Sequence, residues 1–167
     1  MAKQTLLITL YISELKYDIQ NGTYLTSRSR RNEKEGNDEE ASHVIANDDD
    51  ENKNHILRSI SSAFSELKNK MSEYLSESAV LASNDALISE SDNLTLSLSM
   101  PSNYNLATKD AITSAAHDYI VNTAIGKWFI ITDKADAKEY FDLASNSLTI
   151  ITQAISKRVR PTRPEIS

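Results

Sequence analysis

The chain has 167 residues, 18 Lys and Arg against 24 Asp and Glu, a net charge of −6 and no cysteine. This length suits one domain. The absence of cysteine excludes a disulfide framework, a zinc–thiolate site and a cysteine nucleophile. Three scattered glycines cannot build a glycine-rich phosphate loop, and the negative charge disfavours a bulk-basic nucleic-acid binder. Composition therefore favours a scaffold over an enzyme.

The first predicted element is an amphipathic helix over residues 3–20. Its apolar residues at helical spacing are Ile8, Tyr11, Ile12, Leu15 and Ile19. Asn21-Gly22 is predicted to end it, with glycine as the left-handed cap. Leu6, Leu7 and Leu10 widen the apolar face, so they are candidate interface residues that we expect a neighbouring subunit to cover.

The apolar run at the start of the chain, residues 6–12, is too short for a signal peptide or a membrane span. Glu14 and Lys16 follow it at once, and no small-residue cleavage site is present. We therefore expect the protein to be made in the cytoplasm.

Residues 21–52 are predicted to form a long polar connection, which is unusual in a compact domain unless it is functional. Its apolar pairs, Tyr24-Leu25 and Val44-Ile45, are candidates for short strands. Nine acids lie between residues 33 and 51, with Lys34 as the base among them. The candidate channel-facing or partner-facing acids are Glu39, Glu40, Asp48, Asp49, Asp50 and Glu51.

Part of this acidic segment resembles the start of a calcium loop at Asp48, Asp50 and Asn52. Lys53 stands where such a loop needs glycine, and Ser59 where it needs glutamate. We therefore reject an EF-hand. A solvated acidic loop, a weak cation site and a functional acidic surface remain as alternatives, and no metal or cofactor is assigned.

A second helix is predicted at residues 53–76, followed by a half-buried antiparallel strand at 94–100. The strand is indicated by alternation of Leu94, Leu96, Leu98 and Met100 with Thr and Ser. Residues 79–88 are predicted to form a small hairpin whose return strand, or the segment after it, pairs with residues 94–100. The hairpin's candidate interface residues are Val80, Leu81, Leu87 and Ile88.

Two further helices are predicted at 106–130 and 134–158, joined by a link short enough to make them antiparallel. Gly126 is expected to allow close packing, and Thr132 or Asp133 to cap the last helix. The predicted class is mainly α (α+β): a four-helix bundle-like fold with a small antiparallel sheet between helices 2 and 3. Residues 1–157 would form one helical domain.

Residues 158–167 form a predicted extended basic tail. Arg158, Arg160 and Arg163 provide its charge, and Pro161 and Pro164 limit its freedom. Either this tail is a frayed, solubilising terminus, or it is an arm that lies across a neighbouring chain. The three arginines are therefore candidate interface residues.

The histidines, His43, His55 and His117, share no metal-ligand spacing. Asp110, Ser114 and His117 fall on one face of the third helix, which imitates a triad by residue type. A nucleophile needs its base and oxyanion donors from different backbone segments, so we expect no catalytic site here. An enzyme would need a pocket that combines perturbed carboxylates with His117.

The order of elements over residues 53–157 resembles the head–tail connector (adaptor, or neck ring) proteins of tailed bacteriophages, including those of crAss-like gut phages. The likeness is carried by the long second helix, the β segment Leu94–Pro101, the sequence His117-Asp118-Tyr119-Ile120-Val121 followed by Lys127-Trp128, and the antiparallel last helix. Residues 21–52 match no part of this pattern.

The resemblance implies a structural virion protein without catalytic residues, located at the neck. It implies a ring of about twelve copies beneath the portal protein, around the DNA channel and next to tail proteins. Two alternatives remain: a small helical regulatory or partner-binding module, and a tail-completion or collar protein.

Overall fold

The computed structural model describes residues 3–33, 45–46, 49–76, 88–132 and 134–161. The main elements in chain order are β1 (Lys3–Tyr11), α1 (Ile12–Glu33), α2 (Asp50–Lys70), β2 (Asn93–Pro101), α3 (Lys109–Thr132) and α4 (Lys134–Ile155). Short 3₁₀ turns at Ser72–Tyr74 and Leu106–Thr108 follow α2 and precede α3. Within these ranges, four helices and a two-stranded antiparallel sheet confirm the predicted mainly α, α+β class.

The first element is a strand for nine residues, so the helix predicted from residue 3 is wrong up to Tyr11. Leu6, Ile8 and Leu10 point inward and are at most 3 % exposed, whereas Leu7 between them is 52 % exposed. This two-residue alternation is that of a half-buried strand. β2 stabilises it, because a strand needs a hydrogen-bonded partner with the same burial pattern.

The predicted strand at 94–100 is confirmed and extends by one residue at each end. Its predicted partner is wrong, since β2 pairs with β1 from Lys3↔Pro101 to Tyr11↔Asn93. Only one strand of the sheet therefore lies between the second and third helices. Of the predicted hairpin, residues 79–87 lie outside the described part, and Ile88 is in no strand and packs against the core.

α1 runs through the predicted stop at Asn21-Gly22 and ends at Glu33. Gly22 is no cap: a Cβ there would lie 2.8 Å from Ile125 Cδ1, so glycine allows α1 to approach α3. Tyr24 and Leu25 are helical rather than a short strand. The other candidate short strand was Val44-Ile45: Val44 lies outside the described ranges, and Ile45 is in a bend. Tertiary packing has overridden the glycine stop signal.

Residues 45–46 are held against α1. The Ala46 N–H donates to Thr23 Oγ1 at 3.1 Å, and both residues are buried. The predicted connection is thereby shortened, because helix occupies residues 21–33 and α2 begins at Asp50. Asp49 is the N-cap residue of α2, and its carbonyl accepts the Lys53 N–H at 2.8 Å. The second predicted helix is thus confirmed, with ends at 50 and 70.

α3 is the central element and packs against α1, α2, α4 and β1. From Tyr119 to Phe129 its buried side chains surround the helix, whereas its first turns are buried on one face. α4 runs antiparallel to it, and at Gly126 a Cβ would lie 2.9 Å from Phe141 Cε1, which confirms the predicted close packing. Thr132 is the last residue of α3 rather than a cap of α4, and Asp133 lies outside the described residues.

After α4 the chain stays attached to the loop that precedes α3. The Asn105 N–H donates to the Lys157 carbonyl at 3.2 Å, and the Val159 N–H donates to the Asn103 carbonyl at 2.8 Å. Tyr104 and Arg158 form an isolated antiparallel bridge. The predicted tail therefore begins as an extended segment fixed at residues 157–159.

Candidate interaction surfaces

The predicted N-terminal interface residues lie on opposite faces of β1. Leu6 and Leu10 are 2 % and 3 % exposed and belong to the chain's own core, so their prediction as interface residues is wrong. The reason is the two-residue period of a strand, which separates them from Leu7. Leu7 remains available on the outer face of the sheet.

The outer face of the sheet is nearly free of charge. Leu7 lies opposite Ser97, Thr9 opposite Thr95, and Tyr11, which is half-exposed, opposite Asn93. Lys3 carries the charge on this face. Low charge and an exposed aromatic side chain are features that this face shares with interface centres, whereas its serine content is not.

α4 presents a second uncharged surface, which the sequence reading missed. Its last thirteen residues, 143–155, contain no Asp, Glu, Lys or Arg. Leu143 and Ile150 are seven residues apart on one helical face, and each is 49 % exposed. The signal was present in the sequence as a long charge-free run within a helix.

The other predicted interface residues are distributed as follows. Ile88 is half-buried against the core, and Arg158 Nη1 donates to the Ile155 carbonyl at 2.7 Å, so both contact their own chain. Arg160 is exposed. Predicted interface residues outside the described part are Val80, Leu81, Leu87 and Arg163.

The predicted acidic surface is described only at its C-terminal end. Asp49 and Glu51 are exposed at the start of α2, where negative charge is favoured by the helix dipole, and Asp50 is the first helical residue. Glu39, Glu40 and Asp48 lie outside the described residues. Within the described ranges, no group of three His, Asp or Glu side chains could hold a metal ion.

A groove of about 480 Å³ lies where β1, α1 and α3 meet. Residues 9–11 of β1 form one wall, and Glu14 and Asp18 of α1 form another. The wall from α3 consists of Asp110, Thr113, Ser114 and His117. A smaller hollow of about 320 Å³ shares Glu14 and Asp18 and is bordered by Tyr17. The structure thus places the three residues of the triad-like pattern at one groove, with two further carboxylates.

His117 is held by a residue from another helix. Its Nε2 lies 2.7 Å from Asp18 Oδ2. This pair links α3 to α1 and brings together a histidine and a carboxylate that are 99 residues apart in sequence. The ring nitrogen that contacts the carboxylate is therefore engaged, and a proton relay from Ser114 would have to use the other nitrogen.

A three-residue ion cluster lies away from the groove. Glu90 Oε1 is 2.8 Å from Lys16 Nζ and 2.7 Å from Lys53 Nζ. The hydrogen bond from Lys16, followed by that from Lys53, holds the pKa of Glu90 below its usual value. This carboxyl group, whose pKa is displaced, does not line the groove, and its contacts join α1, α2 and the segment before β2.

His55 and the apolar α2–α3 contact are structural. His55 packs edge-on against Trp128 with ring centroids 5.5 Å apart, and His43 lies outside the described residues. Lys127 Nζ on α3 donates to Glu66 Oε1 at 2.7 Å, which ties the same pair of helices. Burial and the charge of Glu66 raise the pKa of the Tyr119 hydroxyl, so this group remains neutral.

Comparisons with protein-family models, with curated proteins and with solved structures find no match. Within the described residues, no helix has the length and apolar character needed to cross a lipid bilayer.

Proposed function

We propose that this chain is a structural assembly subunit of a tailed-phage virion, located in the head–tail connector ring between portal and tail around the DNA channel. The observation that carries the proposal is the charge-free half of α4 with Leu143 and Ile150 on one exposed face. Interfaces are depleted in charge at their centre and rely on apolar anchors. The resemblance of residues 53–157 to connector proteins is the reason for proposing a connector ring as the assembly.

The outer face of the sheet supports the same proposal. Leu7 and Tyr11 are about half-exposed, and the side chains opposite them carry no charge. A ring subunit needs two different contact surfaces, one for each neighbour, because its interfaces are heterologous. The α4 face and the sheet face are on separate elements and can fill these two roles. In this proposal the chain binds surfaces and performs no catalysis.

The test is the assembly state of the full chain, alone and with a portal ring, measured by native mass spectrometry and negative-stain microscopy. We expect rings of about twelve copies, or binding to portal as a ring. Leu143→Glu with Ile150→Glu should abolish assembly, because it places charges in the interface centre. Asn54→Glu with Asn69→Glu, at exposed positions of α2, is the matched control. A chain that stays monomeric and never joins portal contradicts the proposal.

The groove at His117 favours a second candidate, a small partner-binding module. Its concave shape and its convergent polar groups are typical of a binding site. A stable monomer or dimer that binds one defined partner through this groove, and ignores portal, would support this candidate instead. A tail-completion or collar protein would bind tail proteins but not portal.

A further inference from the structure

The groove lies along the edge of β1 that faces away from β2. Successive strand residues point to opposite faces, so a hollow that touches Thr9, Leu10 and Tyr11 together meets the strand at its edge. Their β2 partners do not line the groove, which places it at the opposite edge. Within the described residues, β1 pairs with β2 alone.

A strand edge beside a helix is a geometry that binds extended peptides. The edge offers backbone N–H and C=O groups to an added strand, and the helix contacts its side chains. Here β1 is the edge and α3 is the helix, with Asp110 and His117 two turns apart along the groove. The shape of the groove therefore favours binding of an extended segment over binding of a helix.

The negative charge of the groove favours binding of a basic segment. Glu14, Asp18 and Asp110 line it, and neither Lys nor Arg does. Asp18 already contacts His117, whereas Glu14 and Asp110 are exposed. Tyr11 adds a half-exposed aromatic ring, over which a guanidinium group can stack.

We propose that this groove binds the C-terminal segment of a second copy, from Arg160 onward, so that the tail of each subunit docks on the next. The proposal rests on the assembly role above. Arg160 and Arg163 supply two cations within four residues. Among the described residues no ion pair holds Arg160, which is exposed. The negative groove and the basic tail are therefore complementary within the same sequence.

The positions of the prolines fit one register of this added strand. If the backbone of Arg160 and Thr162 faces β1, Pro161 faces away, where its missing N–H removes no hydrogen bond. Pro164 then ends the pairing, because it would face the edge without a donor. The docked stretch is thus short. Arg160 and Arg163 are an odd number of residues apart and point to opposite faces of the added strand, so each face receives one guanidinium group.

The reach of the tail favours a second copy over the same chain. Val159 is bonded to Asn103, which follows the Pro101 end of the sheet. Thr9 is six residues along β1 from Lys3, the partner of Pro101, which is about 20 Å. Arg160 is one residue beyond Val159, about 3.4 Å of chain. In the register above, the Arg160 backbone lies beside residues 9–11, and Arg160 of the same chain cannot reach that position while Val159 keeps this bond.

The first experiment measures binding of a fluorescein-labelled synthetic peptide, SKRVRPTRPEIS (residues 156–167), to the full chain by fluorescence anisotropy. Glu14→Gln with Asp110→Asn should weaken binding about tenfold, the effect of two exposed ion pairs. Glu139→Gln with Asp142→Asn, at exposed positions of α4, removes the same charge and should leave binding within about twofold. A peptide with Arg160→Gln and Arg163→Gln should bind the wild-type chain about as weakly as the natural peptide binds the groove variant, Glu14→Gln with Asp110→Asn. Absence of binding, or equal weakening by both protein variants, overturns the proposal.

The second experiment establishes which chain supplies the tail. A groove variant with an intact tail (Glu14→Gln with Asp110→Asn) is mixed with a chain truncated after Val159, which keeps its groove wild type. We expect the mixture to form a one-to-one pair in native mass spectrometry, while each variant alone pairs less. If the tail fills its own groove, no pair forms, and truncation merely raises affinity for the peptide; that result overturns docking on a second copy. Rings that persist in both variants leave the assembly role standing and overturn this inference alone.

Discussion

The close approach of α3 and α4 at Gly126 predicts that the most conservative substitution there is destabilising. Ala is about 1 kcal/mol better than Gly inside a helix, so Gly126→Ala should stabilise the protein if nothing lay opposite. A Cβ at this position would lie 2.9, 3.0 and 3.1 Å from three ring carbons of Phe141. Non-bonded carbons prefer about 3.5–4.0 Å, so the ring or the helix must move.

The size of the effect follows from the balance of these two terms. Overpacking of this kind costs about 1–3 kcal/mol. The helix preference offsets about 1 kcal/mol of that cost. We therefore expect Gly126→Ala to lower the free energy of unfolding by about 1 kcal/mol. In a Phe141→Ala background the obstacle is gone, and the same substitution should raise it by about 1 kcal/mol.

The assay is urea denaturation of the four proteins of this cycle, followed by the fluorescence of Trp128, the single tryptophan of the chain. Gly22→Ala is a useful comparison, because the atom within 3 Å of its Cβ is the terminal methyl of Ile125, which can rotate away. We expect a smaller change there. An equal effect of Gly126→Ala in both backgrounds would refute the argument that the ring sets the cost.

Three further predictions follow from individual contacts. Glu90→Gln should lower the melting temperature at neutral pH. Because the native pKa of Glu90 is depressed, the stabilisation from its ion pairs is fully present above the unfolded pKa of 4.5 and is lost as the pH falls through the native pKa. The melting temperatures of the two proteins should therefore converge in that acidic range. Leu6→Ala should cost about 3 kcal/mol in urea denaturation because the side chain is buried, whereas Leu7→Ser should change stability by less than about 0.5 kcal/mol and weaken self-association in sedimentation experiments. Tyr140→Phe removes a hydroxyl that is hydrogen-bonded to α1 at 2.9 Å and should cost about 1 kcal/mol, measured by the same denaturation; an unchanged midpoint would contradict that contact.

The helical part of the fold could be predicted from the sequence because its signals are local. The stripes of α2 and α4 recur over more than twenty residues, too long for a coincidence of spacing, and α3 is indicated by a long apolar segment. Gly126 was correctly interpreted as a position of close packing, since it follows a dense run of core residues. The ends of these helices shifted by a few residues, which is where periodicity carries least information.

Residues 3–11 and 21–33 were mispredicted for a physical reason. Ile8 fits the helical spacing of Ile12, Leu15 and Ile19, although it also alternates with its neighbours. The pairing partner decides between these two readings, and it lies about ninety residues away, beyond any local pattern. Gly22 acts as a stop only if nothing stabilises the helix beyond it, and contacts with α3 do so here.

The candidate surfaces were also only partly predictable. The residue types of the Asp110, Ser114 and His117 pattern were visible, but Asp18 and Glu14 join them only once α1 packs beside α3. An oppositely charged tail was visible as well, whereas the strand edge that could receive it depends on the corrected β1. The candidate sites of this chain therefore depend on long-range packing more than on sequence motifs.

The pairing of β1 with β2 has a consequence for the order of events during synthesis. Lys3 and Pro101 are 98 positions apart, so the first strand leaves the ribosome long before its partner exists. Closing so long a loop is entropically slow, and the sheet should form late, after the local α3–α4 hairpin. Until then the alternating apolar side chains of β1 are exposed to other nascent chains. In pulse-labelling hydrogen exchange, the amides of β1 should gain protection last during refolding.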